Sequence, residues 1–255
     1  DPCFASRRPR APRPRRLMRW LAAIFICCAS TASAVTCEDV TFVDESFTLC
    51  TVNAVTEDLR LFHIDADGFV LGSFRDIEAT LGDQSLSFAM NAGMYHQDRS
   101  PVGLYRENWE DQSSIVTSDG PGNFGLLPNG VLCVTDDSAR VYESLSYVAQ
   151  KPDCRDATQS GPMLVIGGDL HPRFLINGTS KYIRNGVGTS ADGTTAVFAI
   201  SNNNVNFHTF GRLFRDYLKL PNALYFDGKI SRLYAPSLER ADGGFRLGAI
   251  IGVVE

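Results

Sequence analysis

Residues 195–228 read TAVFAISNNNVNFHTFGRLFRDYLKLPNALYFDG, and their reading sets the fold class. Thr195 to Ile200 is a short apolar run with the character of a buried strand. Ser201-Asn202-Asn203-Asn204 breaks the run with small polar residues. Val205, Phe207, Phe210, Leu213, Phe214, Tyr217 and Leu218 then recur near helical spacing, which predicts the principal helix over 204–218 with Asn204 or Asn206 as its N-cap. Pro221 ends that helix, and Ala223 to Phe226 is a second buried strand running into Asp227-Gly228. Upstream, Phe47–Val52, Leu59–Ile64, Phe69–Phe74 and Met163–Ile166 also read as strands, with Asp65-Ala66-Asp67-Gly68 turning a hairpin. Arg75–Leu81 reads as a short helix stopped by Gly82. Strands dominate and do not alternate regularly with helices. The expected fold is therefore α+β, a mixed β-sheet domain with few helices.

The first 34 residues have a different character. A Pro/Arg tract leads to Met18-Arg19-Trp20, then to an apolar run from Leu21 to Ala29, then to Ala32-Ser33-Ala34. A basic start, a short apolar stretch and an Ala-x-Ala ending form a secretory signal, and the run falls short of the roughly 20 residues that span a bilayer. Residues 1–34 are expected to be a signal peptide, with translation possibly starting at Met18, and residues 35–255 a single domain. No later stretch has the length and apolarity of a membrane span. The expected location is exported, periplasmic or extracellular.

Four cysteines follow the leader: Cys37, Cys50, Cys133 and Cys154. In an exported domain they suggest two disulfides, and three connectivities exist. The pairing Cys37–Cys50 and Cys133–Cys154 closes two local loops and is the expected one. No Cys-x-x-Cys pair or suitably spaced His argues for zinc, so no metal ligands are assigned. The leader carries seven Arg and one Asp, so its removal takes Lys+Arg from 24 to 17 and Asp+Glu from 29 to 28, a net charge of −11. That balance lacks the basic footprint of a nucleic-acid binder.

Polar clusters sit at predicted strand ends. Asp227 ends an apolar strand, where partial desolvation would alter a carboxylate, and Gly228 permits a tight turn or close approach; by itself Asp-Gly is also plain turn chemistry. Asn91-Ala92-Gly93 follows the apolar Leu86–Ala89. The Asn91 amide suits a sugar hydroxyl or a phosphate oxygen, and equally an Asx-turn. Ser160-Gly161 precedes a strand and offers hydroxyl and N–H donors to an anion, but it is not a Gly-x-Ser-x-Gly elbow, which excludes a serine esterase of that type. His171 and Arg173 are anion ligands or loop residues. Arg184 beside Gly186 and Gly188 suits a phosphate clamp, although neither a P-loop nor a dinucleotide fingerprint is present. Asn204, near a helix start, is placed for capping or for an anion.

Taken in order, these clusters resemble the phosphodiester glycosidase family, the group that includes the mannose-6-phosphate uncovering enzyme. Asn91-Ala92-Gly93-Met94-Tyr95 matches its Asn-x-Gly-aromatic motif, Ser160-Gly161-Pro162-Met163-Leu164 its Gly-Pro-x-Leu segment, and Arg184-Asn185-Gly186-Val187-Gly188 its Arg-x-x-x-Gly segment. Leu224-Tyr225-Phe226-Asp227-Gly228 matches its apolar strand ending in Asp-Gly-Gly. Lys229 replaces the second Gly, so the turn is expected either to admit a different group or to supply its own cation, and Met94 stands where Phe is frequent, so the family's substrate does not carry over.

The resemblance implies an exported hydrolase of a sugar C1–O–phosphate bond. Asp227, Arg184 and Asn91 would be catalytic. Ser160, Gly161, Gly93, Gly228, His171, Arg173, Asn204 and Lys229 would bind substrate. The partner is a sugar phosphate or phosphorylated glycan. No cofactor is called for, and a divalent metal is left open. The rival reading is a non-catalytic glycan- or phosphosugar-binding protein of the envelope. The signal assignment is checked by N-terminal sequencing of the protein recovered after export, which is expected to begin at Val35.

Overall fold

Side-chain alternation along the quoted strands builds the domain. The computed structural model describes residues 35–227 and 229–255, so residues 1–34, the expected signal peptide, and Gly228 lie outside the described residues. Ala196, Phe198 and Ile200 enter one apolar cluster, while Val197 and Ala199 enter another. Leu224 and Phe226 join the first, and Ala223 and Tyr225 the second. A strand with both faces packed in this way must lie inside a layered structure.

These two strands belong to a seven-stranded sheet. Its order is Thr36–Phe42, Glu45–Asn53, Thr195–Ser201, Asn185–Thr189, Asn222–Asp227, Met163–Ile166 and Asp169–Leu170. A five-stranded sheet runs Arg240–Ala241, Leu233–Ala235, Leu86–Asn91, Ile250–Val254 and Asp58–Phe62. A further five-stranded sheet runs Glu110–Ser113, Tyr105–Glu107, Asp156–Ser160, Gly130–Val134 and Ala139–Glu143. All three contribute to the largest apolar cluster, through residues such as Phe198, Phe88 and Leu132. The α+β expectation with few helices holds, and the pairings between these strands are antiparallel.

The principal helix covers the other face of the large sheet. Phe210, Leu213 and Phe214 pack there with Val197, Ala199 and Tyr225. It starts at Phe207, three residues later than the apolar spacing predicts, because Val205 is paired with Tyr182 in a β-bridge and Asn206 provides the cap, its Oδ1 accepting the Thr209 N–H at 2.8 Å. After Arg212 the helix widens into a π-helical turn, Leu213–Tyr217, with a Leu218 N–H to Leu213 C=O bond of 2.9 Å. The short helix is Phe74–Glu78, capped by the Ser73 hydroxyl.

The expected hairpin is only half formed. The 65–68 turn is present, but the return segment makes an isolated Ile64–Val70 bridge and leaves Phe69 70 % exposed. Asp58–Phe62 instead pairs over five residues with Ile250–Val254, a partner that completes the core. Both disulfides are present: Cys37–Cys50 ties the first two strands, and Cys133–Cys154 ties strand Gly130–Val134 to the segment entering Asp156–Ser160.

Where Tyr105–Glu107 and Asp156–Ser160 meet Asp58–Phe62, the Glu107 carboxylate accepts the Tyr105 hydroxyl at 2.8 Å. Burial pushes the Glu107 carboxyl up from 4.5 to about 7, opposed by the Tyr105 bond and aided by the neighbouring Asp156. The folded state thus keeps a proton that the unfolded chain releases, so this group favours folding below about pH 4.5 and loses that contribution as pH rises towards 7. Glu107→Gln is expected to raise the melting temperature at pH 8, with the difference from wild type shrinking as pH falls and closing only below about pH 4.5, as read by thermal unfolding from pH 8 to about pH 4.

Candidate functional site

Three strand ends converge on one buried carboxamide. Leu86–Asn91 and Asn222–Asp227 end there, and Asn185–Thr189 begins there. Asn185, fully buried, donates through Nδ2 to the Asn91 carbonyl at 2.9 Å and to Asn91 Oδ1 at 3.1 Å. Its Oδ1 accepts the Asp227 N–H at 3.0 Å and the Ser231 hydroxyl at 3.3 Å. Asn91 Oδ1 also accepts the Arg232 N–H at 2.8 Å. These bonds fix which way the Asn91 amide faces. Its Nδ2, enclosed within the protein, has no hydrogen-bond partner among the described residues.

Asp227 follows Tyr225 by two residues along its strand. Its Oδ1 accepts the Lys229 N–H at 3.0 Å, and its carbonyl accepts the Ser231 hydroxyl at 2.8 Å. It lines a cleft of about 340 Å³ together with Met94, Tyr95, Asn123, Phe124 and the exposed Lys229. Gly93, at φ +74°, turns the chain from the Asn91 strand towards this cleft; a Cβ there would lie 2.7 Å from Thr158 Oγ1. Ser160 is buried and donates to the Phe226 carbonyl at 3.0 Å, holding the strand end one residue before Asp227. Gly161 precedes cis-Pro162 and packs against Asn129.

Arg184 is fully buried and does not line that cleft. Its Nε donates to the Val205 carbonyl at 2.9 Å, one terminal nitrogen to the Tyr225 hydroxyl at 3.2 Å, and the other to the Ser180 carbonyl at 2.9 Å. The guanidinium lies 3.6 Å from the Phe207 ring centroid. None of the ion pairs among the described residues involves it. Burial accordingly lowers its pKa, partly offset by Tyr225. Burial also raises the Tyr225 phenol, whose hydroxyl is approached by both Arg184 and the cleft residue Asn123. Tyr225 thus stands between the buried cation and the Asp227 cleft.

His171 belongs to the same region in a different way. Phe174 stacks on His171 at 4.8 Å and on Phe207 at 5.0 Å, so His171, Phe174, Phe207 and Arg184 form a column of planar groups. His171 Nε2 meets the Leu127 carbonyl at 3.1 Å, and burial lowers its pKa. Arg173 and Asn204 are exposed, and the cap assigned to either Asn204 or Asn206 is Asn206. Among the described residues no three His, Cys, Asp or Glu side chains are grouped to hold a metal ion.

The phosphodiester glycosidase family profile matches residues 84–246, which span all these strand ends. The chain belongs to the phosphodiester glycosidase family. It is 34 % identical over 204 residues to the uncharacterized protein YigE of Escherichia coli K12, covering 79 % of this chain and 80 % of that one. A hypothetical protein from Synechocystis shares the fold at a TM-score of 0.58 and 12 % identity, over 86 % of this chain and 61 % of that one. The catalytic domain of zebrafish N-acetylglucosamine-1-phosphodiester alpha-N-acetylglucosaminidase, auto-inhibited by its pro-peptide, shares it at a TM-score of 0.55 and 12 % identity, over 86 % and 81 %.

Asn185, Tyr225, Tyr95, Asn123 and Ser231 receive no individual role from the sequence, although the first three lie within its motifs. Asn185 carried a signal: a carboxamide entering a run of small and apolar residues must find partners if that run is buried. Tyr225 read as ordinary core, and Asn123 lies in a Gly/Pro-rich loop that periodicity does not resolve. Asn185→Ala would orphan the buried groups it now serves, each costing roughly 1–3 kcal/mol. Urea unfolding is expected to show that loss, whereas Asn204→Ala, at an exposed position, stays within about 0.5 kcal/mol of wild type.

Proposed function

We propose that this phosphodiester glycosidase is an exported hydrolase that cleaves the C1–O bond of a glycosyl phosphodiester. What supports the proposal is Asp227 at a cleft edge beside Lys229, tied through Asn185 to the Asn91 amide, with Arg184, unpaired among the described residues, bonded to Tyr225 two positions before Asp227. Two disulfides suit an oxidising compartment, and among the described residues no helix is long and apolar enough to cross a membrane.

In the proposed reaction a water oxygen bonds to C1 as the C1–O bond breaks. The bond's electron pair leaves with the phosphate oxygen. The water proton passes to Asp227 and then to solvent. The leaving group is a phosphate monoester, whose second pKa near 6 lets it depart with little help from an acid. What it demands is stabilisation of growing negative charge. Lys229 supplies a cation at the cleft, and the buried Arg184 polarises the Tyr225 hydroxyl towards it. Asn91 contributes an oriented N–H.

Hydrolysis of a sugar 1-phosphodiester in ¹⁸O-labelled water tests the bond assignment. The label is expected on the sugar, with none on the phosphate; label on phosphate would refute C1–O cleavage, and saturable binding without product would favour the non-catalytic reading. Asp227→Asn is expected to lower kcat by about 10²–10⁴-fold, the range for loss of a general base, with an unchanged melting temperature.

A further inference from the structure

The buried side-chain polar atoms without a hydrogen bond among the described residues are Glu57 Oε1, Asp76 Oδ2, Asn91 Nδ2 and Tyr95 Oη. The two carboxylate oxygens have other means of support. Glu57 accepts the Asn53 N–H through its second oxygen at 2.7 Å, and Asp76 lies 3.2 Å from the Arg246 guanidinium. The two remaining groups, both able to donate, fall within the five residues Asn91–Tyr95. Asn91 already serves the site. Tyr95 has no role in the scheme above.

Tyr95 is held firmly. The segment around it folds back on itself, with a Tyr95–Pro101 bridge, a Val102 N–H to Met94 C=O bond of 3.0 Å and a His96 N–H to Ser100 C=O bond of 2.8 Å. Gly248 makes room for the ring, since a Cβ there would lie 2.5 Å from Tyr95 Cγ. The Arg99 guanidinium sits over the ring, 5.2 Å from its centroid. The residue lines the same cleft as Asp227 and Lys229. A phenol at a cleft wall whose hydroxyl is almost enclosed and unbonded carries a desolvation cost that a ligand seated against it, with a small turn of the ring, would relieve.

We infer that the Tyr95 hydroxyl is a substrate-contacting donor, bonding a phosphate oxygen of the ligand in the Asp227 cleft. A phosphate oxygen is favoured over a sugar hydroxyl because Arg99 and Arg232 act electrostatically on the phenol and Lys229 shares the cleft. Burial, reinforced by Asp227, raises the phenol's pKa, and the group is protonated and able to donate at neutral pH even without that shift. The assignment rests on the proposed reaction for its catalytic consequence only. As the diester becomes a departing monoester its oxygens gain charge, so the bond strengthens in the transition state and acts more on kcat than on KM.

The test is Tyr95→Phe, with inorganic phosphate as the binding probe and a sugar 1-phosphodiester as the turnover probe. The variant is expected to melt about 2–4 °C higher without ligand, because an unbonded buried polar group is gone. It is expected to bind phosphate about 10- to 100-fold more weakly and to lose kcat by a similar factor, the range for a hydrogen bond to a charged group. Gly248→Ala, which displaces the ring, is expected to weaken phosphate binding in the same direction. A variant that binds phosphate and turns over like wild type overturns the inference and leaves the hydrolase reading intact. A wild-type protein that binds phosphate through Tyr95 but cleaves no diester overturns the hydrolase reading and leaves the inference standing. No phosphate binding by wild type overturns the inference whatever the turnover.

Discussion

A carboxamide has two N–H donors and two acceptor lone pairs, and Asn185 uses both ends at a point where three strands terminate. The Asn91 and Asp227 strands belong to different sheets, so their ends are not registered by any shared ladder. The Asn185 side chain supplies the missing register. It grips the backbone and side chain of Asn91 on one side and the Asp227 backbone on the other. The orientation of the Asn91 amide follows from that grip, and so does the point at which the Asp227 strand leaves the core. Alternatives that slide one sheet past the other would leave buried polar groups unpaired, which is costly in a low-dielectric interior.

The electrostatics follow the same economy of position. Arg184 is surrounded by carbonyls, a tyrosine hydroxyl and an aromatic face rather than by a carboxylate. A guanidinium paired with a carboxylate would carry no net charge, and its field would fall off as a dipole's. Arg184, unpaired among the described residues, keeps its charge against the Tyr225 hydroxyl, which Asn123 of the cleft also approaches. The column from His171 to Arg184 keeps the cation planar against Phe207 and limits its freedom to seek another partner. Membership of the phosphodiester glycosidase family and this arrangement of charge both point to a ligand bearing phosphate.

Much of this was legible before any coordinates. The strand–helix–strand stretch 195–227 could be read because buried runs and helical spacing are local signals, and both disulfide pairs because each closes a short loop. Elements whose partners are remote in sequence were harder. Phe69–Phe74 has the composition of a returning strand, but pairing with Ile250–Val254 gave Asp58–Phe62 the longer ladder and the better core. The helix start moved from 204 to 207 because Tyr182, far upstream, claimed Val205. At the site, charged and glycine-flanked residues announced themselves; Asn185 signalled only that it needs partners when buried, and Tyr95 acquires its role only from what surrounds it in space. The sequence motif named Arg184 as a clamp; only the fold shows it sheathed in the interior, with Tyr225 as its outlet.

The ends of the seven-stranded sheet differ in an instructive way. One is the two-residue strand Asp169–Leu170, too short to recruit another chain. The other, Thr36–Phe42, is long enough to do so, but its cross-strand Cys37–Cys50 bond rivets it to its neighbour. Peeling that margin away to expose a longer inner edge would require breaking a covalent link. The inner edge of the broadest sheet therefore stays covered for as long as that bond is intact.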